Sequence, residues 1–403
     1  MAGLPPAAPL VSLVMIARDE ESCLPRALAS ARDWVDEIVL VDTGSADRTR
    51  EIARAYGARV YEHPWRNDFS LHRNQALGYA TGAWCLQLDA DEELDQSTGP
   101  LLRRLAGESR AAAHRVEIVN LHPGGRQMRF AWPRFFRRQP GVYYHRPVHN
   151  LLEVPGPVAD SGLRLFHHGY AGDPATLEKK HARRLAMMRR WVAEEPGDWA
   201  AHRYLSQALL FAPAGWEEAV AEGRRAGELA RAAGAPPGAL ALVEGQVVQG
   251  LILLGRYAEA AQRCPAWAAL VPASPDPHYC RGQSLYALGR DAEAARSLEE
   301  YARLCHLAAA DASRLAGLEV FSLGHLPMGL TMWLATELRL GRQPRARQVQ
   351  AHLAAQPVAP DLARQLTGHL AGRGLAAAAR DLAAAWGIAT GSPGPGAPDE
   401  KNL

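Results

Sequence analysis

The chain has few of the features that mark specialised classes of protein. Its five cysteines are odd in number and form no Cys-x-x-Cys pair, so we expect neither a zinc knuckle nor a disulfide framework. A formal net charge of only +2 gives no reason to expect a nucleic-acid partner. These absences favour a protein of a reducing compartment that binds no nucleic acid.

Long hydrophobic runs are also missing. The apolar run at residues 10–16 is too short to span a bilayer, which takes about 18 apolar residues, and no later segment supplies them. The first residues lack the basic region of a secretory signal, so we expect a cytoplasmic protein without a transmembrane segment. With 403 residues, 48% hydrophobic, the chain is long enough for two or three domains with their own cores.

The first quarter of the chain alternates strand and helix patterns. Short apolar runs predict strands at 10–16, 37–42, 58–61 and 84–88, and amphipathic spacing predicts helices between them. This alternation is typical of a largely parallel sheet with helices on both faces. Because parallel strands end at one edge of the sheet, we expect Asp42 to lie near Asp89 and Asp91.

We expect the chemical reaction to take place at Asp89 and Asp91. They follow a buried strand and are separated by one residue, so together they can hold a hard divalent cation whose other positions take phosphate oxygens. An isolated Asp-x-Asp more often caps a helix or lies in solvent, so its value depends on the motifs around it.

Those motifs resemble family 2 glycosyltransferases in order and spacing. The resemblance rests on residues 15–21 (MIARDEE), 36–49 (DEIVLVDTGSADRT), 68–70 (DFS), 73–74 (RN) and 88–92 (LDADE). It is strong over residues 10–172. The chain looks most like the branch with C-terminal tetratricopeptide-like repeats, which includes bacterial peptide S-glycosyltransferases and sugar transferases of cell-surface polysaccharides.

The resemblance implies an α/β fold of the GT-A type, a Rossmann-like and mostly parallel sheet, and a nucleotide-sugar donor, most often linked to uridine. Asp42 would accept a hydrogen bond from the base, Arg73 would contact the diphosphate, Asp89 would face the ribose or sugar, and Asp91 would bind Mn²⁺ or Mg²⁺. The other residues implied in donor binding are Ala17, Arg18, Glu20, Gly44, Ser45 and Ala90.

Aromatic and basic segments after residue 129 are expected to build the acceptor side of the cleft, with Arg134, Arg137 and Tyr170 as the candidates. By the resemblance, His167 completes the metal shell beside Asp91, and His168 is the competing candidate. An arginine–phenylalanine strand and a His-x-Gly-Tyr segment both fit the family.

The base that takes the acceptor proton is left open by the sequence. His149-Asn150 departs from the His-Glu form of the family, and asparagine cannot act as a base. We name His149 and Glu153 as candidates, with Glu92 and Glu93 as alternatives. A thiol acceptor would need little base assistance, because its thiolate forms readily.

The second half of the chain reads as consecutive helices. Residues 255–261 (GRYAEAA) recur as 289–295 (GRDAEAA), which is the 34-residue tetratricopeptide period, and a weaker copy begins at Gly215. Such repeats stack into a solenoid with a concave groove that binds a peptide or another subunit, or they only support the catalytic domain.

We therefore predict a GT-A domain over residues 8–172, an α-helical repeat domain over 173–388 and a disordered tail over 389–403. The leading hypothesis is a metal-dependent inverting glycosyltransferase that moves a sugar, from a UDP-sugar in our first choice, to a Cys, Ser or Thr side chain of a peptide or protein. A homodimer through the repeats is a further expectation. The alternatives are a transferase of cell-surface polysaccharide or lipopolysaccharide, and a catalytically inactive repeat scaffold.

Overall fold

The computed structural model describes residues 10–121, 127–168 and 174–388, and the chain divides into two compact units, Met1–Trp191 and Val192–Leu403. The first unit therefore continues past the predicted boundary at residue 172. The expected tail and Tyr170 lie outside the described residues.

The first unit is built on an eight-stranded mixed sheet in the order β3-β2-β1-β4-β7-β6-β10-β5, with β8 and β9 forming a separate pair. The strands are β1 Val11–Ala17, β2 Glu37–Asp42, β3 Arg59–Glu62, β4 Trp84–Gln87, β5 Glu92–Leu94, β6 Ala113–Leu121, β7 Gln127–Arg137, β8 Tyr143–His145, β9 Leu151–Glu153 and β10 Val158–His167.

Five α-helices of seven or more residues accompany the sheet among the described residues of this unit. They are α1 Leu24–Ala31, α2 Thr49–Ala55, α3 Phe69–Tyr79, α4 Gly99–Glu108 and α5 Pro174–Glu194, whose last residues enter the second unit.

Strands β1 to β4 are mutually parallel, and β7 runs antiparallel to both β4 and β6. Six of the seven residues of β1 are buried, as expected for a strand covered on both faces. Alternate residues pack on opposite sides: Leu13 lies in a cluster with Leu24 of α1, and Val14 lies in a cluster with Ala76 of α3. The predicted α/β sheet with helices on both faces is confirmed.

The sheet has one edge at which β1, β2 and β4 all end, because these strands are parallel and aligned in register. Ala17 of β1 pairs with Asp42 of β2, and Val14 of β1 pairs with Gln87 of β4. Strand β10 ends near this edge as well, since His167 pairs with Glu92 of β5. Tertiary pairing therefore brings the end of β10 to the acidic segment after β4.

The second unit consists of helices in the described residues, and its core is one large apolar cluster. The helices are α6 Trp199–Leu209, α7 Trp216–Ala232, α8 Pro237–Leu253, α9 Tyr257–Leu270, α10 Asp276–Ala287, α11 Asp291–Ala310, α12 Leu326–Arg339, α13 Gln343–Ala354, α14 Pro360–Gly372 and α15 Ala376–Ala385. Among these described helices none is both apolar and long enough to cross a membrane.

The repeat glycines occupy the turns inside successive helix pairs. Gly255 ends α8 with a φ of +73°, Gly289 ends α10 with +70°, and Gly341 and Gly374 follow α12 and α14 with +69° and +77°. Glycine adopts this left-handed conformation without the steric cost that a Cβ would bring. The weaker copy at Gly215 differs, because its φ is −96° and it begins α7 rather than ending a helix. The predicted helical repeat is confirmed as a series of helix pairs.

Candidate active site

A cleft with a volume of about 410 Å³ opens where the parallel strands end. It is lined by the ends of β1 and β10, the segment after β4, helix α3, the loop before β9 and helix α5. The residues predicted from the sequence that line it are Ala17, Arg18, Glu20, Arg73, Asp89, Ala90, Asp91, His149 and His167.

Asp91 and His167 face each other within this cleft. His167 Nε2 lies 3.3 Å from Asp91 Oδ2, and His167 Nδ1 lies 2.8 Å from Oδ1 of the buried Asn120. An amide oxygen only accepts hydrogen bonds, so Nδ1 carries a proton and donates it to Asn120. In the neutral imidazole, Nε2 then carries a lone pair and faces a carboxylate oxygen. Two hydrogen-bond acceptors this close together need a cation or a second proton between them.

The electrostatics of His167 agree with that geometry. Burial alone would lower the pKa of His167, but the hydrogen bond and the charge of Asp91 outweigh it, so the pKa is raised. Within the described residues no group of three or more His, Cys, Asp or Glu side chains is arranged to hold a metal ion. Asp91 and His167 therefore offer two ligands and would leave the remaining positions to substrate oxygens and water.

Asp89 plays a different part from Asp91, because arginines surround it. Its Oδ1 accepts hydrogen bonds from Arg73 at 2.8 Å and from Gln87 at 2.9 Å, and its Oδ2 lies 3.4 Å from the guanidinium of Arg134. Burial raises the pKa of Asp89, but Arg73 and then Arg134 lower it more, so the net shift is downward. Arg73, predicted to contact the diphosphate, is thus engaged with Asp89.

Arg134 is only 14% exposed and is not among the residues that line the cleft. Besides Asp89 it donates to Glu92 Oε1 at 3.0 Å, and Glu92 Oε2 accepts from the backbone N–H of Asp89 at 2.9 Å. Glu92 is only 3% exposed, and burial raises its pKa. A carboxylate held this way cannot reach an acceptor, which removes Glu92 from the candidate bases.

The loops after β1 and β2 are tied to each other by their own polar groups. Asp42 accepts from the N–H of Gly44 at 3.1 Å and of Ser45 at 3.0 Å, and from the Ser45 hydroxyl. The N–H of Asp19 in turn donates to Ser45 Oγ, at 3.0 Å. Asp42 is completely buried, and neither it nor Gly44 or Ser45 is among the residues that line the cleft. Their hydrogen bonds fix the two loops, and Thr43 is the residue between them that lines the cleft.

The acceptor-side candidate Arg137 and the candidate base Glu153 both lie away from the cleft. Arg137 donates to the backbone carbonyls of Ala111 and Ser109 and pairs with Trp84, at the start of β4, so it lies at the opposite edge of the sheet. Glu153 is exposed on β9 and is not among the lining residues. Neither residue lines the cleft, because β-pairing, which the motif order does not reveal, decides which end of a strand faces it.

The remaining histidine candidates separate clearly. His168 Nε2 lies 3.2 Å from Glu93 and not from Asp91, although its backbone N–H donates to the Asp91 carbonyl at 3.0 Å. His167 is therefore the histidine beside Asp91. His149 is exposed, lines the cleft and has a φ of +49°, a conformation that is unusual for a residue with a Cβ and common at functional sites.

Several residues in or beside the cleft were missed in the sequence interpretation. Trp65 stacks on His72 with ring centroids 5.2 Å apart, and it forms an aromatic wall with Phe69. Asn120 gave no signal because it is an ordinary residue near the end of a strand. Lys180, Arg183 and Arg184 come from α5, which had been assigned to the helical repeats. Helical periodicity identifies the face of such a helix but not what it covers.

Glu20 is a partly buried carboxylate in this cleft. Its burial, followed by the negative charge of Asp91, raises the pKa of Glu20 to about 7, and Lys180 opposes the shift. Glu20 thus changes its charge near neutral pH, as a general base does.

Residues 12–152 match the model of the glycosyl transferase family 2. Over these residues the chain is therefore similar to this family. Over 206 residues the chain is 37% identical to a TPR repeat-containing protein of Synechococcus elongatus, covering 47% of this chain and 49% of that protein. It is 29% identical over 126 residues to an uncharacterized glycosyltransferase of Rickettsia typhi, covering 30% and 43%.

A third relative is the SPbeta prophage-derived glycosyltransferase SunS of Bacillus subtilis, which is 24% identical over 205 residues, or 47% of this chain and 46% of SunS. The chain thus spans about half or less of the length of these relatives. Among solved structures, Staphylococcus aureus TarS with UDP-GlcNAc is 14% identical with a TM-score of 0.38, covering 76% of this chain and 92% of that one.

Proposed function

We propose that this protein is a metal-dependent inverting glycosyltransferase that transfers a sugar from a nucleotide-sugar, with UDP as the first choice, to a peptide or protein side chain. The observation that carries the proposal is the pair of acceptor atoms, Asp91 Oδ2 and His167 Nε2, that face each other at 3.3 Å in the cleft. A divalent cation, Mn²⁺ or Mg²⁺, fits between a carboxylate and an imidazole whose Nδ1 is hydrogen-bonded to Asn120.

The reaction is a single displacement at the anomeric carbon. The bond from this carbon to the acceptor oxygen or sulfur forms while the bond to the diphosphate oxygen breaks, and the nucleoside diphosphate leaves with the electron pair. A bound cation would neutralise the charge that develops on the departing diphosphate. Asp89, held by Arg73 and Arg134, is fixed in place as an acceptor for a ribose or sugar hydroxyl.

The acceptor proton needs a base in the cleft unless the acceptor is a thiolate. His149 and Glu20 are the candidates with suitable positions, since both line the cleft and Glu20 titrates near neutral pH. Asn150 follows His149 and cannot supply this function. A cysteine acceptor would relax the requirement, because the thiolate is already a nucleophile.

The helical unit supports a peptide as the acceptor. A cavity of about 360 Å³ in this unit is lined by the amides of Gln207, Gln246 and Gln249 and by apolar groups that include Trp267. Gln246 Oε1 is buried and has no hydrogen-bond partner among the described residues. A primary amide both donates and accepts, so these side chains suit an extended peptide backbone. A homodimer through the repeats stays a prediction.

The first test is the thermal midpoint of the wild type, Asp91→Asn and the control Asp33→Asn with UDP, GDP, CDP and dTDP, with and without Mn²⁺. Asp33 is a matched control because its side chain is 79% exposed and lies outside the cleft lining. A ligand at a hundred times its Kd stabilises the folded state by about 2.7 kcal/mol. We expect a manganese-dependent shift with one nucleotide, present in Asp33→Asn and lost in Asp91→Asn.

The absence of a shift with any nucleotide would contradict the proposed activity and favour the helical unit as a binding scaffold. The acceptor is tested separately by assaying transfer to a peptide library beside hydrolysis of the donor. We expect Gln246→Leu to raise the acceptor KM and to leave donor hydrolysis at its wild-type rate. Equal peptide transfer by Gln246→Leu and wild type would contradict the peptide site.

A further inference from the structure

One face of α5 brings an unusual concentration of positive charge into the cleft. Lys180, Arg183 and Arg184 all line it, together with Met187 of the same helix. Their spacing of three, four and seven residues from Lys180 places them on one side of an α-helix. Arg18, at the end of β1, lines the same cleft. A cationic helix face is thus turned toward the place where a substrate would bind.

The three cations of α5 are not neutralised by ion pairs within the described residues. In the part of the chain that the structure describes, Lys180, Arg183 and Arg184 make no ion pair within 4.0 Å. Arg183 is partly shielded from water, and burial followed by the charges of Arg18 and Arg184 lowers its pKa. Like charges this close repel one another, so the arrangement is unfavourable until an anion binds.

The acidic groups of the cleft do not remove this excess. Asp89 is already compensated by Arg73 and Arg134, and Arg18 lies 3.7 Å from Asp19, which leaves Asp91 and Glu20 to oppose the three cations of α5. A divalent cation and the two negative charges of a diphosphate cancel when they bind together. The cleft would therefore remain positive even when it holds a metal-bound donor, and phosphate oxygens are the ligands that arginine pairs bind best.

We propose that Lys180, Arg183 and Arg184, with Arg18, form a phosphate-binding site that contacts a substrate phosphate directly and not through the metal. This inference rests on the proposed function in its assignment of the cleft to a nucleotide-sugar and its acceptor. Arg73, which the resemblance assigns to the diphosphate, lines the same cleft and is hydrogen-bonded to Asp89 at 2.8 Å. The phosphate belongs either to the donor diphosphate or to the acceptor.

The test compares the full-length wild type with Arg183→Gln/Arg184→Gln and with a matched control, Arg189→Gln/Arg190→Gln. The control removes the same charge from the same helix at positions that do not line the cleft. Calorimetry measures the Kd of UDP with Mn²⁺, of uridine, and of inorganic phosphate added to protein saturated with UDP and Mn²⁺. Circular dichroism verifies the fold, and the single variant Lys180→Gln repeats the test with a smaller change.

If the donor supplies the phosphate, the double variant binds UDP at least about tenfold more weakly and binds uridine normally, since it has lost charge-assisted hydrogen bonds to the diphosphate. If the acceptor supplies it, UDP binding is unchanged, while the wild type saturated with UDP binds inorganic phosphate and the variant does not. In both cases added salt weakens the binding that depends on α5.

Unchanged affinity for both UDP and phosphate in the double variant and in Lys180→Gln would overturn the inference. Equal weakening by the control variant would also overturn it, because the effect would then be one of general charge. The failure of the proposed function is distinguishable: a wild type that binds phosphate through α5 but binds no nucleotide contradicts the glycosyltransferase assignment and leaves the phosphate site intact.

Discussion

Replacing Glu20 by glutamine should stabilise the metal-free protein, and only where Glu20 would otherwise be charged. Burial and the nearby charge of Asp91 raise the pKa of Glu20 to about 7, against an ordinary value of 4.5. A carboxyl whose folded-state pKa exceeds its unfolded value costs no stability while it is protonated in both states. It lowers the free energy of unfolding as the pH rises from 4.5 to 7, with no further loss above that range.

The magnitude follows from this pKa difference at 1.36 kcal/mol per unit, which gives an upper bound of about 3.4 kcal/mol. Glu20 is partly exposed, so solvent screening reduces the expected gain of Glu20→Gln to roughly 1–2 kcal/mol at about pH 8. At about pH 5 only a minor part of the gain remains, because Glu20 is then mostly protonated in the folded wild type.

The assay is urea unfolding of both proteins in EDTA at each pH, with the exposed Glu108→Gln as the control. Saturating Mn²⁺ and UDP should reverse the preference, because a cation beside Asp91 favours the charged form of Glu20. A stability difference that is the same at both pH values would refute the reasoning, since it would show that the charge of Glu20 is not what costs stability. A similar gain in Glu108→Gln would refute it as well.

Three further changes test the supports of the site and the fold. Asn120→Ala removes the acceptor that holds His167 Nδ1 and should weaken Mn²⁺ binding about 10- to 100-fold by calorimetry, whereas Asn120→Asp retains an acceptor oxygen; equal affinities in Asn120→Ala and wild type would contradict the tautomer assignment. Arg134→Met leaves Glu92 without its ion pair and Asp89 with Arg73 alone, and should cost about 3–5 kcal/mol in urea unfolding, against about 1 kcal/mol or less for Arg129→Met, whose ion pair with Glu117 is exposed; similar losses would count against the buried network. Gly289→Ala places a Cβ at a φ of +70° and should cost about 1–2 kcal/mol, while Gly368→Ala inside α14, with no atom within 4 Å of the new Cβ, should gain about 0.5–1 kcal/mol; a stabilising Gly289→Ala would contradict the turn geometry.

Local patterns were sufficient for the elements and for the acidic centre of the site. The continuous burial of β1 corresponds to a run of apolar residues, and the repeat glycines Gly255 and Gly289 both occupy left-handed turns. Asp91 and His167 were predicted to lie together, and they do, although 76 residues separate them. Here the order of motifs in a family predicted a tertiary contact that local sequence patterns cannot predict.

The sequence could not place side chains whose positions depend on pairing between distant segments. Arg134 and Arg137 lie on one strand, yet Arg134 reaches Asp89 and Arg137 binds backbone carbonyls at the opposite edge of the sheet. Two residues separate them, and the antiparallel register with β4 decides which end of the sheet each one meets. The motif identified the residue types but not their register.

The sequence by itself determined the strands, the helices, the turn residues and the chemical types at the cleft, because these follow from hydrophobic periodicity, backbone preferences and motif order. The tertiary structure alone decided which polar groups are hydrogen-bonded or ion-paired within the protein and which can bind a substrate. Arg73 is bound to Asp89, Asp42 fixes a loop, and the uncompensated charges come from α5. The physical reason is that a charged side chain can bind a ligand only if the protein does not already neutralise it. Its ion-pair and hydrogen-bond partners come from residues that are distant in the sequence.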